Sequence, residues 1–568
     1  LFDWKNPDDN SLFTASVRSF IDNQIDSHSK SSANPAVESV RGKSRIERLS
    51  SILPSSRRRI HHLIDEDSIS TDDPVKMTRI AYNFWGKRWV LKQTAVDPVD
   101  YLQGYPKRIT RSILAPTIEM VEQVILDMGD SSPGPDGIPF SAYKRSLLTS
   151  APVFLRVVQD MLSGITPPPD FNGGLLYLIP KKGLGTVEDT RPIVVSNTDN
   201  RIVATIFNRL IIDALSDIID TDQKGFIPGR SMKDHLNYFN ENFYKSLEEG
   251  DSYDLLLYDF EKAFDSCSHD TIFRLLEHVG LPANVVSAIS LFFHQAFALT
   301  TFRGAPPARI DFSRGIKQGC PLSPLLFVLL MDVLMHNLKK VDSLEAKMFA
   351  DDTGSGSSHL SANTLSQIKH VFDDFEGATG LALNLDKTYF LTTRPSDEHR
   401  TVRARLRVVD WSGVKVSGAA QYLGMPMGSD VDFGEAFYPR LTKFHERIRG
   451  YASTKASLSA TSKILVANVF LLPLLYFPAQ FLRCPTCYAT DIRKNLSNWM
   501  AHFKAILNSI PLVQYCRPRE LMGWPRPLVH FKLWNLALLT HSANRLPIDP
   551  SYDRKKAYET CTMRFSHH

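Results

Sequence analysis

Three aspartates carry the strongest chemical signal in this sequence. Asp259 ends the apolar run Leu255-Leu256-Leu257-Tyr258, and the Asp351-Asp352 pair ends Met348-Phe349-Ala350, with no basic residue beside either. Each run is long enough for one buried strand, and an unpaired carboxylate at the end of such a strand is costly. Acids placed this way point to a metal. The pair is expected in the tight turn of a hairpin that continues into Thr353-Gly354-Ser355-Gly356. Where the two strand ends meet, like charges raise each other's pKa unless a divalent cation is present, and hard oxygen ligands suit Mg²⁺. Two such ions about 3.5–4 Å apart activate an attacking hydroxyl and stabilise a leaving pyrophosphate. An Asp-Asp pair in a turn is also ordinary loop composition, so the reading depends on the elements around it.

Those elements come in a definite order. Pro116 and Thr117 open a helix whose apolar residues Val121, Val124, Ile125 and Met128 recur at helical spacing up to Gly129. A rigid loop, Ser132 to Pro139, follows. Leu175 to Ile179 reads as a strand ending in Pro180-Lys181-Lys182, with Arg191-Pro192-Ile193-Val194-Val195 as its partner. Lys181 and Arg191 at neighbouring strand ends would clamp a triphosphate, a point charge beside a bidentate fork; two ordinary surface cations are the plainer reading. Arg201 to Ala214 is a helix, and the loop Lys224 to Ser231 suits close backbone approach to a ligand.

Phe264 lies five positions past Asp259, where its ring would either exclude a 2′-hydroxyl or simply pack in the core. Gln318 and Gly319 precede the apolar helix Leu325 to Met335 and could hold a base or phosphate at its N-terminus. The rival there is a structural loop with a proline at the first turn. Thr364 to Phe375 is an amphipathic helix closed by Gly377 and Gly380. Leu383 to Thr388 follows, then a short strand and turn at Tyr422 to Pro426, and two or three helices between Phe437 and Leu482.

Composition narrows the class. A chain of 568 residues divides into two to four domains at about 150 residues each. It is 43% hydrophobic and 22% charged, with a net charge of +5, an ordinary globular balance. Between Asp430 and Ile510 ten Lys or Arg face five Asp or Glu, so one segment carries the excess and suits a surface that tracks phosphates. Six cysteines make no disulfide framework and favour a reducing compartment. Cys484-Pro485-Thr486-Cys487 is half of a zinc spacing without a second half. The most apolar window, Asn468 to Leu482, is broken by Pro473 and Pro478 and is too short to cross about 30 Å of hydrocarbon. No signal peptide is visible, and a first residue Leu1 suggests a fragment. Arg57-Arg58-Arg59 with His61-His62 reads as a solvated basic knot.

Taken in order, the series resembles the reverse transcriptase region of non-LTR (LINE-type) retrotransposons. Ser132 to Pro139 is similar to the family's opening loop, Leu178 to Lys181 and Arg191-Pro192-Ile193 to its fingers motifs, and Gly225 to Arg230 to its Gly-Phe-x-x-Gly-Arg loop. Asp259 to Asp265 resembles motif A, Lys317 to Pro324 motif B, and Phe349-Ala350-Asp351-Asp352 motif C. Asn384 to Thr388 and Tyr422-Leu423-Gly424 stand where motif D and the primer grip belong. The resemblance implies an α+β right-hand polymerase with an antiparallel palm sheet. Its divisions would be an N-terminal extension to residue 115, fingers and palm over 116–430, a helical thumb over 431–510 and a C-terminal segment.

It further implies Asp259, Asp351 and Asp352 as ligands of two Mg²⁺ ions, with Mn²⁺ the other candidate, and Lys387 as the acid that protonates pyrophosphate. Lys181, Arg191, Phe264, Gln318 and Gly319 would bind the nucleotide. The implied partners are an RNA template, a DNA primer and its RNA–DNA duplex, dNTP and an element RNA in a ribonucleoprotein, with no membrane; the implied location is nucleus and cytoplasm. Phe349 departs from the Tyr common in motif C, and no endonuclease candidate is visible. The alternatives are a catalytically inactive nucleic-acid-binding relative, an RNA-directed RNA polymerase, which would want a smaller residue than Phe264, and a group II intron maturase.

Overall fold

The computed structural model describes residues 60–181, 185–431, 433–452, 466–479, 487–488, 491–492 and 494–495. The readings on Arg57 to Arg59, Lys182, Cys484, much of the expected thumb and the C-terminal segment lie outside these residues. In chain order the first long element is α1, Pro74–Arg88, where Asp73 accepts from the Val75 and Lys76 amides and Pro74 occupies the first turn, a favourable helix start. Helix α2 (Ile118–Asp127) opens at Thr117 and buries Val121, Val124 and Ile125, as their spacing requires. Helix α3 spans Leu147–Leu162. The hairpin β1 (Gly173–Pro180) and β2 (Thr190–Ser196) leads into α4 (Thr198–Ile218), longer at both ends than its apolar face suggests, and α5 (Lys233–Glu249).

Strand β3 (Asp254–Tyr258) is buried along its whole length. Strands β4 (Phe297–Thr300) and β5 (Ala308–Asp311) precede α6 (Ser323–Leu338), which is apolar all round and enclosed in the core, as such a helix must be. Strands β6 (Glu345–Phe349) and β7 (Asp352–Ser357) form a hairpin, followed by α7 (Ala362–Thr379), which runs past Gly377 to a left-handed cap at Gly380. The described chain then gives β8 (Tyr389–Thr392), β9 (Lys415–Val416), the hairpin β10 (Ala420–Tyr422) and β11 (Met425–Met427), and α8 (Phe433–Ala452).

Two sheets organise the molecule. One has strand order β9-β8-β3-β7-β6 and is antiparallel except for its β8–β9 edge; the other has order β2-β1-β4-β5. Helices α2, α4, α6 and α7 share one apolar core with the first sheet. A separate core joins Leu176, Val194, Ala298, Ile310 and Phe312 of the second sheet and its flank to Leu63, Met77, Trp85 and Trp89. Residues 63–89, in the stretch expected as an N-terminal extension, are thus built into the second sheet's packing. No helix among the described residues is long and apolar enough to cross a membrane.

Candidate active site

The pairing of β3 with β7 brings the acids together. Tyr258 stands opposite Thr353, so the register carried one place further sets Asp259 against Asp352. Phe349 pairs with Asp352 across the β6–β7 hairpin, leaving Ala350 and Asp351 as the turn. The sequence placed both aspartates in that turn; in the fold Asp352 is the first residue of β7 instead. The reason is Ala350, which takes a left-handed φ of 57° and so supplies the first turn residue itself.

That conformation, uncommon for a residue with a Cβ, is held by a side chain the sequence did not single out. Gln223 is fully buried. Its Oε1 accepts from the amides of Ala350 at 3.0 Å and Gly225 at 2.9 Å. Lys224 donates to the Met348 carbonyl at 2.8 Å, and a Cβ on Gly225 would run into the Ala350 backbone. The start of the Lys224 to Ser231 loop packs on the acid turn. Its position at the start of that loop was the available signal for Gln223.

The charges form one field. Burial raises the pKa of Asp259 and so does Asp351, while Lys387 and Lys181 pull it down. Burial also raises Asp351, opposed by a backbone hydrogen bond and by Arg191 and Lys181. Asp352 is pushed up to about 6, by burial first and then by Asp351 and Asp259. Asp351 and Asp352 nonetheless remain accessible at their surface. Both carboxylates are thus crowded by protein and still touch solvent. Among the described residues no three His, Cys, Asp or Glu groups are drawn closely enough to hold an ion as they stand. The donor set still fits a divalent cation: all oxygen, and carboxylates whose raised pKa values a cation would relieve. Asp259, Asp351 and Asp352 are the residues that would hold it.

Each cation is fixed by its element. Lys181 follows β1, its amide donating to the Asp189 carbonyl at 2.8 Å, and Arg191 pairs with Ile179 in β2. Leu176 and Val194 bury one face of this hairpin, whereas Tyr177 and Ile179 are half-exposed on the other, with Arg191. Lys387 ends the short turn Leu385–Lys387, whose Asn384 cap donates to the Asp259 carbonyl at 2.8 Å. Thr388 accepts from the Asp259 amide at 3.4 Å. Both sides of Asp259 are therefore tied to the turn that carries Lys387.

Phe264 is half-buried, stacked on Phe327 of α6 at 4.4 Å between ring centroids and met edge-on by Phe226 at 6.3 Å. Gln318 and Gly319 lie against β2, not at the start of α6, where Leu322 is the cap residue. The Gln318 carbonyl accepts from the Val194 amide at 2.9 Å. Gly319 has φ 123°, and a Cβ there would meet the Val194 carbonyl; only glycine fits. Asp265, the last residue of the segment similar to motif A, is buried behind Gln318, and Tyr422, in the segment expected as the primer grip, is buried where the charge of Asp352 reaches its hydroxyl. Cys487 is an exposed free thiol.

Residues 179–429 match the family model described as Reverse transcriptase (RNA-dependent DNA polymerase). The Transposon TX1 uncharacterized 149 kDa protein of Xenopus laevis is 27% identical over 50% of this chain, and the Retrovirus-related Pol polyprotein from type-2 retrotransposable element R2DM of Drosophila melanogaster is 28% identical over 61%. The chain spans 22% of the first relative's length and 33% of the second's. Among solved structures, a telomerase from Candida albicans in complex with a fragment of telomeric RNA aligns at 11% identity, covering 68% of this chain and 69% of that one, with a TM-score of 0.33.

Proposed function

We infer that this chain is the RNA-directed DNA polymerase of a non-LTR retrotransposon, a reverse transcriptase of right-hand polymerase architecture. It extends a primer 3′-hydroxyl on an RNA template with dNTPs, in target-primed reverse transcription. One observation carries this reading: Asp259, Asp351 and Asp352 share an electrostatic field with Lys181, Arg191 and Lys387 where β3 pairs with β7. A set of opposed charges so arranged suits a nucleoside triphosphate and its divalent ions, two Mg²⁺ in this reading or Mn²⁺ in their place.

The chemistry that divalent ions supply in such a carboxylate set is activation of a hydroxyl and neutralisation of a leaving pyrophosphate. The protein's own groups do the rest. Lys181 and Arg191 hold the triphosphate against the acids. Phe264, stacked on Phe327 and met edge-on by Phe226, presents its ring where a 2′-hydroxyl would lie. Lys387 donates a proton to pyrophosphate as it departs, a role its charge beside Asp259 supports. The exposed face of the β1–β2 hairpin faces the template, and the basic segment after Asp430 grips the duplex through its backbone. An element RNA completes a ribonucleoprotein. The free thiols of Cys267, Cys320 and Cys487 suit the reducing nucleus and cytoplasm.

Primer extension on an RNA template, with Mg²⁺ and either dNTPs or rNTPs, tests the reading. The native protein incorporates dNTPs and Asp351→Asn does not; equal signal from the two proteins overturns it.

A further inference from the structure

Behind the nucleotide pocket lies a buried carboxylate that the reaction as described leaves unused. Asp265 is 3% exposed. Its Oδ1 accepts from Trp89 Nε1 at 3.3 Å and its Oδ2 from Gln318 Nε2 at 3.3 Å. We propose that Asp265, braced by Trp89, is a positioning residue that fixes the Gln318 carboxamide with its oxygen turned toward the nucleotide pocket. The inference rests on the reading that Gln318 lines that pocket.

The argument is one of donor and acceptor inventory. An ionised carboxylate only accepts, whereas a carboxamide has one donating and one accepting end. Asp265 therefore selects the amide rotamer that turns NH₂ inward and Oε1 outward. What the pocket meets is an acceptor, suited to a hydroxyl or amino group of the nucleotide or its template partner. Burial raises the Asp265 pKa to about 6, opposed by the Trp89 hydrogen bond and the charges of Lys262, Arg88 and Lys181, so the acceptor-only form prevails at neutral pH.

The frame around the contact is rigid. Gly315 donates to the Cys267 carbonyl and Ile316 to that of Phe264, both at 2.7 Å, which zips the Asp265 segment to the Gln318 loop. Trp89 is stacked between Trp85, at 5.0 Å, and Phe312, at 4.0 Å, each pair inclined by 27°, which holds the plane of the ring whose N–H meets Asp265. Trp89 directly follows α1. The N-terminal segment thus reaches the nucleotide pocket through two hydrogen bonds.

Steady-state dNTP incorporation by the full chain on an RNA-templated primer tests this with Asp265→Asn, Trp89→Phe and Gln318→Ala, singly and with each of the first two combined with the third. Asparagine both donates and accepts, so it no longer dictates the amide; phenylalanine keeps the stack and removes the N–H. Asp265→Asn is expected to raise the KM for dNTP about tenfold with kcat within about twofold, Trp89→Phe to act in the same direction about threefold, and neither to add to Gln318→Ala. A loss of equal size in the Gln318→Ala background, a loss confined to kcat, or no change in KM overturns the inference. Where Asp265→Asn fails to fold, Trp89→Phe carries the same comparison. A native KM in Gln318→Ala overturns the inference together with the role of Gln318, while the polymerase reading stands or falls separately on Asp351→Asn.

Discussion

Asp265 and Phe264 are neighbours with opposite constraints, and each can be tested alone. Asp265 has its pKa raised from 3.8 to about 6, mainly by burial, so its charged form is the one the fold disfavours. Stability drawn from the protonated group is present below pH 3.8 and is lost as pH rises through about 6. Thermal melts from pH 4 to 7 should therefore show the native protein losing stability relative to Asp265→Asn across that range, with a constant offset outside it. A parallel pair of profiles would refute the assignment. Phe264 is stacked on Phe327 and met edge-on by Phe226, contacts that oppose its rotation away from a 2′-hydroxyl. Phe264→Val should raise ribonucleotide incorporation relative to deoxynucleotide by at least about tenfold in competition assays, and unchanged sugar selectivity would remove the ring from that role.

At the scale of elements, the β6–β7 turn is set by a loop far away in the sequence. Ala350 is held left-handed by Gln223, and Gly225 lies against its backbone. A methyl group at 225 has backbone, not a flexible side-chain end, in its way. Gly225→Ala is expected to lower stability by about 1–3 kcal/mol, the usual cost of overpacking, and to reduce dNTP incorporation by more than that loss explains, because displacing Ala350 displaces Asp351. Chemical denaturation read beside single-turnover kinetics separates the two; unchanged turnover would show that the turn tolerates the shift. The same loop carries Arg230, which donates to the carbonyls of Ser216 at 3.1 Å and Ile219 at 3.0 Å and so caps the end of α4. One irregular segment thus serves both the acid turn and a core helix.

Across the whole molecule, α1 and the residue after it bind the second sheet to the site. Trp85 and Trp89 are buried with Met77 against Leu176, Val194, Ile310 and Phe312. Trp85→Ala should cost about 3–5 kcal/mol, and a chain beginning at residue 90 should expose that sheet's apolar face. Limited proteolysis is expected to cut such a chain first within residues 173–196; a protease-resistant hairpin would show that the sheet stands without α1. Lys262 adds a polar link across the same joint, donating to the Glu188 carbonyl and lying over the Trp85 ring at 5.5 Å.

Local chemistry was legible in the linear chain: apolar runs ending on acid, cations at strand ends, and a bulky ring at a fixed offset from Asp259. These follow from residue type and periodicity within a few positions, and the ordered motifs carried the family resemblance with them. What the sequence could not hold was every relation between distant segments. That Gln223 grips Ala350, that Asp265 faces Gln318 instead of solvent, that Gln318 and Gly319 abut β2, and that Trp89 reaches Asp265 all depend on how the two sheets and their helices pack. Hydrogen bonds and close approaches of this kind are set by three-dimensional distance, on which spacing along the chain places no bound once the core has formed.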